Sequence, residues 1–279
     1  MSEKKEEKEE FEEKSLQEHV FEMLETLRKI LIYNIVFIIT LFLIPSSSNF
    51  LEKYQPLIFR LMEITQQQIL GFENNEITAP IASFLGVNSS DVILIAHGWF
   101  DSIVAALYLA ALIAIIVMGP VTVFFVYKFI EPGLYPHEKR VVKKYVVAIF
   151  LLFTSGIIYA YFVIMPLMFV ISVWLTIIGG AKPIFTIENF FNTVFLGCVS
   201  TGILFMLPLF IMLLAKIGVV SSETLQKNWR LVIFSVFAFT AIITPDPTPI
   251  SMIALSVPFV VLYSISVYLV KRIEKSEKS

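Results

Sequence analysis

The sequence is poor in several kinds of residue, and each shortage excludes a class of protein. It has one cysteine in 279 residues, Cys198, so no intrachain disulfide can form and fold stability does not depend on redox compartment. Charged residues make up only 16%, against about 25% in soluble domains. An apolar share of 57% and a mean hydropathy of +0.81 exclude an ordinary soluble fold. The formal net charge of −2 predicts no nucleic-acid partner.

The N-terminus lacks the basic segment and apolar core of a secretory signal peptide. Residues 3–14 are Glu and Lys with a single Phe. We therefore expect no cleavable signal peptide and a disordered, solvated tail over residues 1–18.

Residues that carry chemistry are also sparse. His19, His97 and His137 lie in three separate segments and cannot converge on one metal ion. The sequence contains no Gly-x-Ser-x-Gly elbow, Walker loop or His-Glu-x-x-His motif, so we expect no enzyme, no metal and no cofactor. Its long apolar runs contain no Asp, Glu, Lys or Arg, which argues against a proton or ion carrier.

Six apolar runs are the dominant positive feature. A hydrocarbon layer about 30 Å thick needs about 20 helical residues, and an isolated apolar run in lipid must be helical. The runs are 30–44, 102–126, 145–178, 193–215, 231–243 and 250–270. The first and fifth are short, about 22 and 20 Å at about 1.5 Å per residue. We expect polar flanks to extend them or the bilayer to thin locally.

The distribution of basic residues predicts the orientation. If the N-terminus is inside, 18 of the 21 Lys and Arg residues lie on the inner side, and only Lys53, Arg60 and Lys182 lie outside. This bias places both termini in the cytoplasm. We predict an all-α integral membrane protein of the cell membrane with six transmembrane helices over residues 19–270, N-in and C-in, followed by a cytoplasmic tail over 271–279.

The first outer segment, about residues 45–99, has a helical pattern of its own. Apolar or small side chains recur at helical spacing, with polar residues opposite, which predicts an amphipathic helix on the outer face. The positions on the apolar side are Ile58, Leu61, Met62, Thr65 and Ile69. A Ser-Ser-Asp sequence at 89–91 can cap a further short helix.

Acidic residues on the basic inner face are candidates for ligand binding. Glu18, Glu22 and Glu25 share one face of the helix that leads into the first span, and Glu138 lies in the loop between the second and third spans. Carboxylates near the lipid boundary suit a guanidinium ligand, which pairs with them in bidentate fashion. The alternative is that these residues only balance neighbouring Lys and Arg.

Four sequence stretches resemble the TatC family, the signal-peptide receptor subunit of the twin-arginine translocase. The most specific is the second span with its loop, which ends Phe129-Ile-Glu-Pro-Gly-Leu-Tyr-Pro-His-Glu-Lys-Arg140 and begins at Pro120. The others are 156–167, Leu207-Pro208 with 218–225, and Pro245-Asp246 with the helix after it. The resemblance covers about residues 19–270.

The resemblance implies recognition of the paired arginines of signal peptides on folded cargo. Glu138 matches the acid of the family's loop motif and Phe129 the aromatic residue ahead of it. The family's N-terminal Glu-Leu-Arg motif is less clean here. Counting from His19 selects Glu22, whereas counting back from the first span selects Glu25, with Arg28 or Lys29 as its basic partner. We prefer Glu25.

The resemblance also implies partners and shows two departures. Transport in the family depends on single-span TatA/TatB-like subunits, on further copies of the chain in the lipid membrane, and on the proton-motive force. Met206 stands where many members have a Glu in the fourth span, which puts that acid's role in partner contact in doubt. The second departure is the final hairpin, which is two residues longer between Asp246 and Pro258 and has Ser264 where an acid often follows Tyr263. Asp246 either caps the last helix or acts in the function.

Other classes of function remain open from the sequence. A secondary transporter or channel for a small solute could be lined by uncharged polar groups, Thr154, Ser155, Ser200 and Thr201. Such groups more often form hydrogen bonds between packed helices. A structural assembly factor is a third alternative.

Overall fold

The computed structural model describes residues 16–46, 54–216, 221–243 and 249–277, and most of them are helical. The helices are α1 (Leu16–Leu43), α2 (Leu57–Leu70), α3 (Ala79–Leu85), α4 (Asp101–Val117), α5 (Gly119–Ile130), α6 (Pro136–Tyr159), α7 (Met165–Ile178), α8 (Ile187–Lys216), α9 (Ser222–Lys227), α10 (Trp229–Ile243) and α11 (Pro249–Glu277). A π-helical segment, Ala160–Ile164, joins α6 to α7, and 3-10 turns lie at Ser89–Asp91 and Glu131–Gly133. Two short strands are β1 (Ile93–Ile95) and β2 (Ile184–Thr186).

Helix α8 is at the centre of the bundle and packs against α4, α6 and α11. The crossing of α6 and α8 is formed by two glycines. A Cβ atom added to Gly156 would lie 2.8 Å from the Cα atom of Gly202, so only glycine permits this separation of the two backbones. Small residues at helix crossings are the usual means of close packing in membranes.

The long apolar helices agree with the runs in the sequence. Within the described residues, three helices are long and apolar enough to cross a membrane: Val20–Leu43, Lys139–Ile178 and Ile187–Ala215. A fourth span results if the bent pair 101–117 and 119–133 is counted as one. The last two runs contribute the shorter apolar stretches Trp229–Ala238 and Ser256–Lys271. The prediction of six spans therefore stays a prediction, as does the placement of both termini.

The first span is extended by polar flanks. Helix α1 begins at Leu16, well before the apolar run at 30–44, and continues through the charged residues that precede it. The helix is therefore longer than the apolar run, and its first turns carry the acidic and basic residues. This is one of the two outcomes expected for that run.

The second apolar run is a broken helix rather than a continuous one. The axes of 101–117 and 119–133 meet at 58°. Pro120 has no N–H to continue the ladder, and Gly119 is buried where an added Cβ would overlap the ring of Phe150 on α6. The Gly-Pro pair therefore produces the bend, and a larger residue at 119 would require the Phe150 ring or the helix to move.

The connections before α4 and after α7 form one cap on the bundle. Strand β1 pairs in parallel with β2, with Ile93 opposite Ile184 and Ile95 opposite Thr186. The predicted amphipathic helix is α2, and its Ile58, Met62, Thr65 and Ile69 are buried. This face packs against α4 and α7, so it contacts protein. The 89–91 segment is a 3-10 turn with Asn88 and Asp91 forming a capping box.

Candidate functional site

Helices α1 and α5 pack together where the candidate acidic residues must be positioned. The ring of Tyr33 stacks on that of Phe125, with centroids 5.4 Å apart. Glu25 lies about 12 Å from Tyr33 along α1, and Ile130 lies about 8 Å beyond Phe125 along α5, at about 1.5 Å per residue. This packing therefore fixes the first helix beside the segment that leads into the loop at 131–135.

The acidic residues of α1 differ in their surroundings. Glu22 is half-buried, whereas Glu25 is exposed. The Glu25 carboxylate forms an ion pair with Lys29 one turn later, with Oε1 and Nζ 2.8 Å apart. Arg28, the other candidate basic partner of Glu25, is exposed. Lys29 is therefore the observed partner of Glu25, and a ligand that binds Glu25 must share the carboxylate with Lys29 or displace it.

The loop between α5 and α6 carries an ion pair that the sequence analysis did not predict. Glu131 Oε1 lies 3.7 Å from Lys139 Nζ, and both side chains are about 41% exposed. Phe129 is half-buried in the last turn of α5. Glu138 is in the first turn of α6, and its side chain lies outside the described residues. The Glu131–Lys139 pair thus links the two helix ends that carry Phe129 and Glu138.

The surface around this loop is strongly basic. Lys128, Arg140, Lys143 and Lys144 are all exposed. A cationic peptide experiences repulsion from these groups, which salt screens over about 8–10 Å. Binding of such a ligand must therefore depend on direct pairing with carboxylates, and Glu131 moderates the charge of Lys139 next to Glu138.

An apolar cavity of about 560 Å³ lies between α1, α5, α6 and α8. It is lined mainly by aliphatic and aromatic side chains, with Asn34 and Thr122 as polar members. The Asn34 amide donates to the backbone carbonyl of Ile30, 2.8 Å away. Met206 lines this cavity, so the position expected to hold an acid in the fourth span faces an apolar space.

The two remaining candidates are Pro120 and Asp246. Pro120 is exposed at the start of α5, where it helps to bend the second span. Asp246 lies outside the described residues.

Two of the four polar groups of the transporter alternative, Ser155 and Thr201, form hydrogen bonds within their own helices. Ser155 Oγ donates to the carbonyl of Leu152 at 2.7 Å, and Thr201 Oγ1 to that of Gly197 at 2.7 Å. The Thr154 hydroxyl is buried and has no hydrogen-bond partner among the described residues. These contacts indicate helix packing rather than a polar pathway.

The structure defines a class: a mostly helical protein with apolar helices long enough to cross a membrane and a charged surface around the loop at 131–135. No group of three or more His, Cys, Asp or Glu side chains in the described ranges could hold a metal ion.

Comparison with known proteins gives the family. Residues 22–258 match the family model described as TatC, Sec-independent protein translocase protein. The chain belongs to the TatC family. It is therefore a membrane component of the twin-arginine protein translocase, which works with other Tat subunits, and the family is one of translocase components rather than enzymes.

Individual relatives cover nearly the whole chain. The chain is 25% identical over 262 residues to the TatC of Carboxydothermus hydrogenoformans, covering 93% of this chain and 96% of that one. It is 27% identical over 268 residues to the TatCy of Bacillus subtilis, covering 95% and 92%. A crystal structure described as the twin arginine translocase receptor TatC matches with a TM-score of 0.64 at 25% identity, covering 91% of this chain and 98% of that one.

Proposed function

We propose that this chain is the translocase subunit that binds the paired arginines of signal peptides and nucleates export of folded proteins. The observation that carries the proposal is the match to TatC along residues 22–258, together with the likeness to a solved protein described as the receptor of this translocase. Binding takes place at the face that carries the loop at 131–135, which is cytoplasmic if both termini are inside.

Two carboxylates hold the two guanidinium groups. One is Glu138 and the other is Glu25 or Glu22. The stacking of Tyr33 on Phe125 supports this arrangement, because it keeps α1 beside the end of α5. Phe129 packs against the apolar residue that follows the arginines.

The ligand must be arginine rather than lysine because of geometry. A guanidinium group presents a planar fork that matches a carboxylate, whereas an ammonium group is a single point charge. One exposed ion pair is weak, so recognition needs two pairs that form together. On a surface this basic, the fork geometry provides the discrimination that net charge cannot.

The surroundings of Glu25 and Glu22 bear on the choice between them. Glu25 is already paired with Lys29 at 2.8 Å, so its use as the binding acid includes competition with that lysine. Glu22 is half-buried, which strengthens any charge-assisted hydrogen bond that it makes. The competition predicts that removal of the Lys29 charge tightens binding if Glu25 is the binding acid and leaves it unchanged if Glu22 is.

The wider assembly follows from the same proposal. The protein lies in the cell membrane and functions with further copies of itself and with single-span TatA/TatB-like subunits, driven by the proton-motive force. Position 206 is a methionine that lines an apolar cavity. Contact between the fourth span and those subunits therefore does not use a carboxylate at this position. Asp246 acts as a helix cap or in partner contact.

Photo-crosslinking of a signal peptide in matched Arg-Arg and Lys-Lys versions tests the binding site. The variants are Glu22→Ala, Glu25→Ala and Glu138→Ala in the full chain in membrane vesicles. We expect crosslinking of the Arg-Arg peptide to fall for Glu138→Ala and for one of the two α1 variants. Unchanged crosslinking of the Arg-Arg peptide in all three variants would contradict the proposed binding site.

Glu18→Ala is the matched control. Glu18 lies one turn before Glu22 on the same face of α1 and carries the same charge. A loss of crosslinking in this variant equal to that in the other three would indicate a general effect of charge rather than a defined site.

A further inference from the structure

Two consecutive aromatic side chains project from the cap without protein contacts that cover them. Trp99 is 99% exposed and Phe100 is 70% exposed. Single exposed apolar residues are common on protein surfaces, but a fully exposed Trp next to an exposed Phe forms a patch that indicates an interaction surface. On the same side of the molecule, α2 buries its apolar face against α4 and α7.

The turn that carries this pair is held by a defined set of hydrogen bonds. The Asp101 carboxylate accepts the backbone N–H groups of His97 and Gly98, with Oδ2 at 2.7 and 2.8 Å. A Cβ added to Gly98 would lie 2.6 Å from Asp101 Oδ1, so the tight turn depends on glycine. The Phe100 carbonyl accepts the N–H groups of Ile103 and Val104 at 2.9 Å each, which joins the turn directly to α4. The aromatic pair is therefore fixed relative to the helix.

The patch continues into an apolar stripe on α4. Phe100, Ile103 and Leu107 are 70%, 46% and 45% exposed. Their spacing of three and four residues places them along one face of the helix. Helix α4 is the first half of a candidate membrane span, and this stripe is part of its exposed surface. Trp99 and Phe100 lie at the N-terminal end of the stripe.

We propose that the 97–101 turn is an interfacial anchor whose Trp99 and Phe100 insert into the boundary between lipid headgroups and acyl chains on the cap side of the membrane. The occupant is the phospholipid bilayer itself. An indole ring suits this layer, because its body is apolar and its N–H can donate to headgroup oxygens. The proposal rests on membership of a membrane-protein family and not on the peptide-binding site.

Depth-dependent quenching of Trp99 fluorescence tests the anchor. The chain has three tryptophans, and Trp174→Phe with Trp229→Phe leaves Trp99 alone. The protein is reconstituted in phosphatidylcholine–phosphatidylglycerol vesicles whose lipids carry a nitroxide either close to the headgroup or deep in the acyl chain. We expect loss of Trp99 emission with the shallow nitroxide, a smaller loss with the deep one, and an emission maximum blue-shifted from that of tryptophan in water.

Two outcomes overturn the proposal. Strong quenching of Trp99 by aqueous acrylamide without quenching by either lipid would place the turn in water. Resistance to all three quenchers would mean that a protein surface covers it. The control is the triple variant that also carries Trp99→Phe, which has no tryptophan and therefore gives the background emission. If the double variant does not fold, the difference in lipid quenching between wild type and Trp99→Phe isolates the same signal.

Discussion

Gly119→Ala tests whether packing at the bend supports the site. Gly119 is buried between α4 and α5, and a Cβ there would overlap the Phe150 ring of α6. The ring must move or α5 must separate from α6, and α5 carries Phe129. Gly133→Ala is the matched control, because a Cβ at that position in the loop would meet nothing within 4 Å.

The expected effect can be worked from this overlap. An extra methyl that displaces a packed side chain costs about 1–3 kcal/mol, and the apolar cavity beside Gly119 and Phe150 gives the ring room to move, which favours the lower end. At about 2–4 °C per kcal/mol, this corresponds to a fall in melting temperature of roughly 2–12 °C. Gly133→Ala should stay within roughly 2 °C of wild type, since surface substitutions usually change stability by less than about 0.5 kcal/mol.

Cys198 makes the assay simple. It is the single cysteine of the chain and is buried, so a thiol-reactive dye reports unfolding of the core in detergent. Equal melting temperatures for Gly119→Ala and Gly133→Ala would refute the reasoning. They would mean that Phe150 moves away at no cost and that the bend is not held by this contact.

Three further changes have defined outcomes. Lys29→Gln should tighten binding of an Arg-Arg peptide by about two-fold if Glu25 is the binding acid, because its competitor is removed, as measured by fluorescence anisotropy in nanodiscs. Glu131→Gln should weaken the same binding by less than about ten-fold at low salt, because Lys139 then adds unbalanced positive charge. Gly156→Leu should lower the melting temperature in the dye assay, because a side chain there overlaps α8.

Each of these three predictions has an outcome that would contradict it. An unchanged affinity in Lys29→Gln favours Glu22, and a weaker one contradicts the competition between lysine and ligand. An effect of Glu131→Gln that persists at high salt would contradict an electrostatic role. Ser155→Leu, at an exposed position next to Gly156, should melt close to wild type, and an equal loss in both would contradict the glycine crossing.

The helices were predictable because their signal is local. Long apolar runs without charge have one backbone solution in lipid, and the helical spacing of Ile58, Met62, Thr65 and Ile69 predicts α2 directly. What the spacing of α2 cannot tell is the partner of its apolar face. The same pattern fits a membrane surface or a protein surface, and here α4 and α7 supply the latter.

The break in the second span had a signal in the sequence. Pro120 inside an apolar run removes a helical N–H, and Gly119 before it allows the close approach of Phe150. The Gly119-Pro120 pair in the run at 102–126 therefore indicates two helices rather than one. By contrast, β1 and β2 are three residues each and about 90 residues apart, so their pairing depends on the packed bundle and not on local pattern.

The candidate site was predictable in its residues but less so in its contacts. The resemblance to the family's loop motif identifies Phe129 and Glu138 as site residues. The pairing of Glu25 with Lys29 follows from helical spacing, whereas that of Glu131 with Lys139 depends on how the 131–135 turn folds back. Which acid of α1 serves as the second binding group depends on the bound peptide.

The most direct test of the central claim is the affinity of Arg-Arg and Lys-Lys signal peptides for wild type and Glu138→Gln in nanodiscs. We expect wild type to prefer the Arg-Arg peptide. We expect Glu138→Gln to lose most of this preference, because the neutral amide pairs weakly with a guanidinium group. A preference for Arg-Arg that is the same in both proteins would contradict recognition at this loop.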